Sequence, residues 1–291
     1  MDAIKTFLLK KDELVLFTDC MPEDTDGILS PYSLTFGAIA EKEGTASTAG
    51  MLTAHAEGEV LSVDWVYVKP EYRRTGVASK LLDIICGAAY ESGGVDMVFS
   101  ILSEKEADLR SFFRDTGFTI LPMADRGQFI ARLSDIRFAD FGKSHRGICK
   151  ETGEVLPKHL RALEKTALNN GDVSIGVSFP IDPAKYSEKS LVHFNKSGAP
   201  DGVILAKETM CSLDSDKQEK AMNISWLYCS EQNGFALAEL LSAFIMGLTE
   251  DDPDILITFA SLNDSSWELG HRLFPNAVYE PYYMAFMDLT V

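Results

Sequence analysis

The sequence predicts a mixed α/β chain, helices packed on mixed sheets, laid out as two tandem copies of one fold. Three patterns carry this expectation. Short apolar segments alternate with Gly-containing turns. A helix with one apolar stripe follows the third of these segments. The order strand, loop, helix, strand, helix, strand then recurs in the second half.

In the first half, residues 32–41, 49–56 and 60–68 read as three strands. The turns Glu41-Lys42-Glu43-Gly44-Thr45 and Glu57-Gly58-Glu59 link them closely enough for an antiparallel meander. Residues 76–92 have Val77, Leu81, Leu82, Ile84, Ile85 and Ala88 at helical spacing, and Gly93-Gly94 ends the run. Residues 95–102 form a buried strand, parallel to its predecessor if the helix crosses over. A helix over 104–116 closes at Gly117, and 118–122 with 128–133 make a final strand pair.

The second half reads with less punctuation. A helix spans 157–169, strands at 191–195 and 202–208 flank a hairpin turn, and 223–229 is the counterpart of the third strand. A helix at 235–248, a strand at 255–260, a helix at 265–274 and a strand at 282–287 complete it. Ile224-Ser225-Trp226-Leu227-Tyr228 parallels Val63-Asp64-Trp65-Val66-Tyr67, which favours duplication over two unrelated modules. The polar stretch 134–154 is the expected junction, and the domains are expected at 1–136 and 137–291.

Composition narrows the function. A formal net charge of −17 disfavours nucleic acid, whose phosphates need surplus Lys and Arg. It suits a solvated acidic surface, and it would steer a cationic amine. No apolar run is long enough to span a bilayer and the amino terminus does not read as a signal peptide, so no membrane partner is expected. Five scattered cysteines without a CxxC pair suit reduced thiols and a cytoplasmic location. The histidines lack metal-ligand spacing, and His145 with Cys149 reads as surface, so no metal is expected. There is no GxxxxGK and no GxSxG.

One segment points to a ligand. From Val66 to Leu82 the chain reads as strand, basic turn with glycine, then helix. A helix beginning near Thr75 leaves its first N–H groups without helical acceptors, and its dipole favours an anion there. Arg73 and Arg74 add charge that can pair with a phosphate, Gly76 lets the anion approach, and Ala78 keeps the helix surface low.

Arg73-Arg74-Thr75-Gly76-Val77-Ala78 resembles the signature of the GNAT superfamily of acyl-CoA-dependent N-acetyltransferases: Arg or Gln, two residues, Gly, one residue, then Gly or Ala. The resemblance extends from about Tyr32 to Leu133 in element order. The second half resembles the same fold, but its loop Ser230-Glu231-Gln232-Asn233-Gly234 has no arginine, so it reads as a degenerate copy.

The resemblance implies acetyl-CoA as co-substrate, with its pyrophosphate at Arg73, Arg74, Thr75, Gly76, Val77, Ala78 and Ser79. It implies a pantetheine arm paired with the open backbone of Val66 and Val68, one N–H also polarising the thioester carbonyl. It implies transfer of the acetyl group, directly in a ternary complex, to a primary amine of a small molecule or a protein, by a monomer or homodimer.

Asp64 is the candidate catalytic base. Period-2 alternation would put Ser62, Asp64, Val66 and Val68 on one face, and an Asp in an apolar strand needs a job or a partner. It reads equally well as a hydrogen-bonded structural Asp. Many members of the family place a Tyr four residues before the glycine that ends the second helix, and an Asn seven residues before that Tyr. Here those positions hold Phe113 and Glu106. Proton delivery to the leaving thiolate would then fall to Tyr32, Tyr67, Tyr72 or water, or the chain binds acyl-CoA without transfer.

Overall fold

The computed structural model describes residues 3–22, 33–42, 45–136, 148–170, 177, 179–213, 217–230 and 234–290. Tyr32, His145, most of the expected junction and the loop residues 231–233 lie outside them.

The first strands are β1 (Ala3–Leu8), β2 (Ser33–Lys42), β3 (Thr45–Glu57) and β4 (Val60–Val68). Helix α1 (Val77–Ser92) leads to β5 (Met97–Leu102), and α2 (Ala107–Asp115) to β6 (Thr119–Arg132). Then come β7 (Cys149–Glu151), α3 (Pro157–Asn170), β8 (Leu191–Phe194), β9 (Pro200–Cys211) and β10 (Glu219–Cys229). Helix α4 (Gly234–Asp251), β11 (Leu256–Ser261), α5 (Asp264–Leu273) and β12 (Val278–Asp288) end the chain. β1 and β7 had no clear sequence signal. Residues 118–122 and 128–133 join into the single strand β6. Among the described residues no helix is long and apolar enough to cross a membrane.

The chain divides into two compact units. Unit 1 comprises Met1–Met123 with Tyr282–Val291, and unit 2 comprises Ala124–Pro281. This division differs from the expected linear split at 136/137, for a topological reason. In unit 1 the sheet runs β1-β2-β3-β4-β5-β12; β1 to β4 pair antiparallel, β4 and β5 parallel, β5 and β12 antiparallel. In unit 2 the order is β7-β8-β9-β10-β11-β6, with the same alternation of pairings. Each sheet is therefore closed by the strand that follows the other half's second helix. β6, after α2, pairs with β11, while β12, after α5, pairs with β5. Strand pairing counts hydrogen-bond partners and not chain order, so a linear reading misassigns these two strands.

The cores follow from the apolar faces. α1 buries Val77, Leu81, Leu82, Ile85 and Ala89 on unit 1's sheet, with Phe113 of α2 and Phe36, Leu52 and Val98 of the strands. It ends at Gly93, whose φ of 62° supplies the left-handed cap. A smaller cluster on the opposite face joins Phe17, Cys20 and Met51 to Trp65 and Tyr67. In unit 2, α4 and α5 cover one face through Leu240, Phe244 and Leu273, and α3 covers the other through Leu160 and Leu163 against Trp226 and Tyr228.

The two units share a local irregularity. In β4, Trp65 pairs with Thr53 and Val63 with Ala54, so Asp64 is an extra residue. In β10, Trp226 pairs with Leu205 and Ile224 with Ala206, so Ser225 is the extra residue. The aromatic pair after each bulge is stacked, Trp65 on Tyr67 at 6.2 Å and Trp226 on Tyr228 at 5.4 Å. Equivalent bulges at aligned residues make the second half a copy of the first in register as well as in element order.

Candidate functional site

The turn before α1 leaves a cradle of backbone N–H groups without helical acceptors. The first helical hydrogen bond runs from Lys80 N–H to Gly76 C=O, at 3.1 Å. The N–H groups of Val77, Ala78 and Ser79 precede it, and no side chain caps the helix. Gly76 stands at φ 87°, and a Cβ there would meet nothing within 4 Å, so the approach is open. Arg74 also sits in the left-handed region, at φ 61°, a costly conformation for a non-glycine residue. Thr75 Oγ1 donates to Tyr72 C=O at 2.6 Å, which closes the turn. Arg73 Nε donates to Val68 C=O at 3.1 Å, fastening the turn to the strand end and leaving the guanidinium exposed.

Next to the cradle, β4 and β5 part. Their parallel pairing ends at Ser62 and Phe99, although β4 continues to Val68 and β5 to Leu102. Ser100 Oγ bonds Val63 C=O at 2.9 Å where the strands separate. Lys69 N–H donates to Ala49 C=O, so residues 65, 67 and 69 direct their backbone groups at β3. By alternation Val66 and Val68 direct theirs into the gap. Gly50 permits the close packing behind them: a Cβ there would lie 2.6 Å from Tyr67 C=O. A cleft of about 910 Å³ joins gap and cradle, lined by Val66, Val68, Arg73, Gly76, Ser79 and Phe112 among others. That is the size of a cofactor site. The structure thus brings together Val66, Val68 and the residues 73–79.

Asp64 is placed differently from expectation. The bulge resets the alternation, because one unpaired residue shifts every later side chain to the other face. Leu61 and Val63 face α1 before the bulge, and Val66 and Val68 face it afterwards. Ser62 and Asp64 therefore do not share a face with Val66 and Val68. They meet His55 of β3 on the opposite side of the sheet. Asp64 Oδ2 lies 2.7 Å from His55 Nδ1, and Ser62 Oγ donates to Asp64 Oδ1 at 3.1 Å. Burial raises the Asp64 carboxyl above its usual range, opposed by the hydrogen bonds from His55 and Ser62. His55 was missed in the sequence; its position opposite Ser62 in the β3–β4 register is the only sign of it.

The hydroxyl question also sharpens. Phe113 is fully buried and packs on Phe112 and Phe118, so that position faces the core and not the cleft. Glu106 stands at the N-cap position of α2 without a side-chain capping bond, and its Oε2 accepts from the N–H and Oγ of Ser103. Tyr72 and Tyr67 both line the cleft, and the Tyr67 ring stacks on Trp65. Tyr283 of β12 bonds Glu104, which raises its pKa, and lies 4.3 Å from the Arg110 guanidinium. It comes from the far end of the chain, beyond the reach of local reading.

In unit 2 the corresponding region holds a buried polar triad. His193 of β8 contacts Asp201 through Nδ1 at 2.5 Å and Glu239 of α4 through Nε2 at 2.6 Å. Burial raises the nearby Cys149 and Cys229 thiols to about 12, with Glu239 and Asp201 adding to the shift at Cys149 and Asp201 at Cys229. Such thiols are inert.

Comparison with known proteins bears on unit 1 and on the fold of the whole chain. The family model for the acetyltransferase (GNAT) domain matches residues 34–120. The chain as a whole has the tandem GNAT fold. A tandem GNAT protein of the clavulanic acid biosynthesis pathway superposes with a TM-score of 0.58 at 12% identity, over 99% of each chain. A GCN5-related N-acetyltransferase from Kribbella flavida gives 0.52 at 12% identity, over 97% of this chain and 71% of that one. A glucosamine N-acetyltransferase region of a fungal multi-domain β-N-acetylglucosaminidase gives 0.54 at 12% identity, over 99% of this chain and 38% of that one. No curated protein matches the sequence.

Proposed function

We propose that the chain is an N-acetyltransferase that binds acetyl-CoA in the unit 1 cleft and acetylates a primary amine, of a small molecule or a protein, in a ternary complex. The observation that carries this is the meeting, in one cleft, of an open strand edge and an uncapped helix amino terminus. Coenzyme A has the matching shape, a pyrophosphate at one end of an amide-bearing arm. The N–H groups of Gly76, Val77, Ala78 and Ser79 would hold the pyrophosphate, with Arg73 and Arg74 supplying charge and Thr75 fixing the turn. Val66 and Val68 would pair with the arm as an added strand. The Val66 N–H, aimed into the gap, would polarise the carbonyl under attack. When bound, acetyl-CoA supplies an activated thioester, and the protein's part is orientation and proton handling. Asp64, hydrogen-bonded to His55 beside the gap, would serve the acceptance of a proton from the ammonium. The net charge of −17 favours a cationic acceptor.

Calorimetric titration with acetyl-CoA is expected to show one site per chain, lost in Arg73→Glu/Arg74→Glu. A panel of amines, followed by release of free thiol, is expected to give turnover. The Phe113 position, which puts no hydroxyl in the cleft, favours a second reading: a protein that binds acyl-CoA without transfer. Binding without thiol release for every amine would establish it in place of the first.

A further inference from the structure

Resting on the acetyltransferase reading, we propose that His55 is the group that takes the proton from the acceptor amine, and that Asp64 is its positioning residue. Both Asp64 oxygens are already engaged, one by His55 and one by Ser62. The Asp64 side chain is only 15% exposed, whereas that of His55 is 39% exposed. An ionised carboxylate is acceptor-only, so the Nδ1···Oδ2 contact requires the hydrogen on Nδ1. A neutral His55 held this way presents its Nε2 lone pair outward. This is the arrangement in which a buried carboxylate fixes the tautomer of a catalytic imidazole and steadies the imidazolium that forms.

The location fits the task. Ser62, the cross-strand partner of His55, is also the last residue of β4 paired with β5. The dyad therefore stands where the gap opens, on the face opposite α1, while the cleft lies on the α1 face. An amine reaching the gap from the His55 side meets a carbonyl presented from the other side. The energetics agree. An alkylammonium near pKa 10.4 is roughly six units above an ordinary carboxyl but only about four above an imidazole. In the step itself, one ammonium N–H bond breaks, its electron pair stays on the amine nitrogen, and the proton bonds to His55 Nε2. The imidazolium, paired with Asp64, returns the proton to water through its exposed edge. Among the described residues, the side chains that hydrogen-bond Asp64 are His55 and Ser62.

The test is kcat/KM against pH for the wild type, His55→Gln and Asp64→Asn with a turned-over amine, beside calorimetric acetyl-CoA affinity. The wild type is expected to show an acid limb. His55→Gln is expected to lose that limb and about 10²–10⁴-fold in kcat, with acetyl-CoA affinity unchanged. Asp64→Asn should keep a limb, moved to lower pH, with reduced kcat. Nitrogen-15 NMR should find the Nδ1–H tautomer in the wild type and its loss in Asp64→Asn. Turnover and acid limb intact in His55→Gln, but abolished in Asp64→Asn, would make Asp64 itself the base and overturn the proposal alone. No thiol release by the wild type with any amine overturns the acetyltransferase reading, and the proposal with it.

Discussion

Gly76 shows how one residue serves two requirements. Its φ of 87° suits glycine, and the space where a Cβ would sit is empty. Gly76→Ala is therefore expected to cost about 1–2 kcal/mol through backbone strain and not through a clash. Denaturant unfolding should register that loss, and calorimetry a weaker acetyl-CoA interaction, since the added methyl stands over the cradle. His193 poses the opposite case. Its two nitrogens each contact a carboxylate oxygen, of Asp201 and of Glu239. His193→Ala leaves Asp201 and Glu239 buried in each other's field and is expected to destabilise the protein by about 3–5 kcal/mol. Asp64 was legible as a residue needing a partner, but the partner was not, because His55 is nine positions away and lies beside it only through the β3–β4 register.

At the level of elements, α1 was legible almost to the residue, since its stripe, its opening glycine turn and its Gly93 stop are all local. Leu81 is fully buried at its centre. Leu81→Ala is expected to cost about 2–5 kcal/mol in thermal or denaturant unfolding. Strands β7 to β10 carry a second, pH-dependent signature. Cys149 and Cys229 ionise near 9.0 when unfolded but at about 12 in the folded chain. Between those values the unfolded state binds fewer protons, so stability falls as pH rises from about 9, by up to about 1.4 kcal/mol per pH unit for each thiol. Denaturant midpoints at pH 8 and pH 10 should show this decline, and Cys149→Ala/Cys229→Ala should flatten it. The bulges were not legible: Asp64 and Ser225 look like ordinary strand residues until a neighbouring strand skips them.

For the whole molecule, the exchange of closing strands makes a distinctive demand. Residues 282–291 belong to unit 1, and removing them strips β5 of its antiparallel partner. A chain ending at Pro281 is expected to lose acetyl-CoA binding, although every residue of the cradle and gap remains. Retention of wild-type affinity by that truncated chain would show that unit 1 does not need β12.

The sequence by itself determined the order of elements, the tandem arrangement and the glycine turn that opens α1, because periodicity, turn chemistry and helix termini are written within a few residues of one another. It also determined that Val66 and Val68 belong with residues 73–79, since one strand and one turn join them. Only the tertiary structure decided which strand closes which sheet, where the bulge reverses the face of β4, and that Asp64 meets His55 and not the cleft. These depend on register between segments distant in the chain. A single unpaired residue, invisible in the pattern of either strand alone, turns the side chains after it to the other face of the sheet.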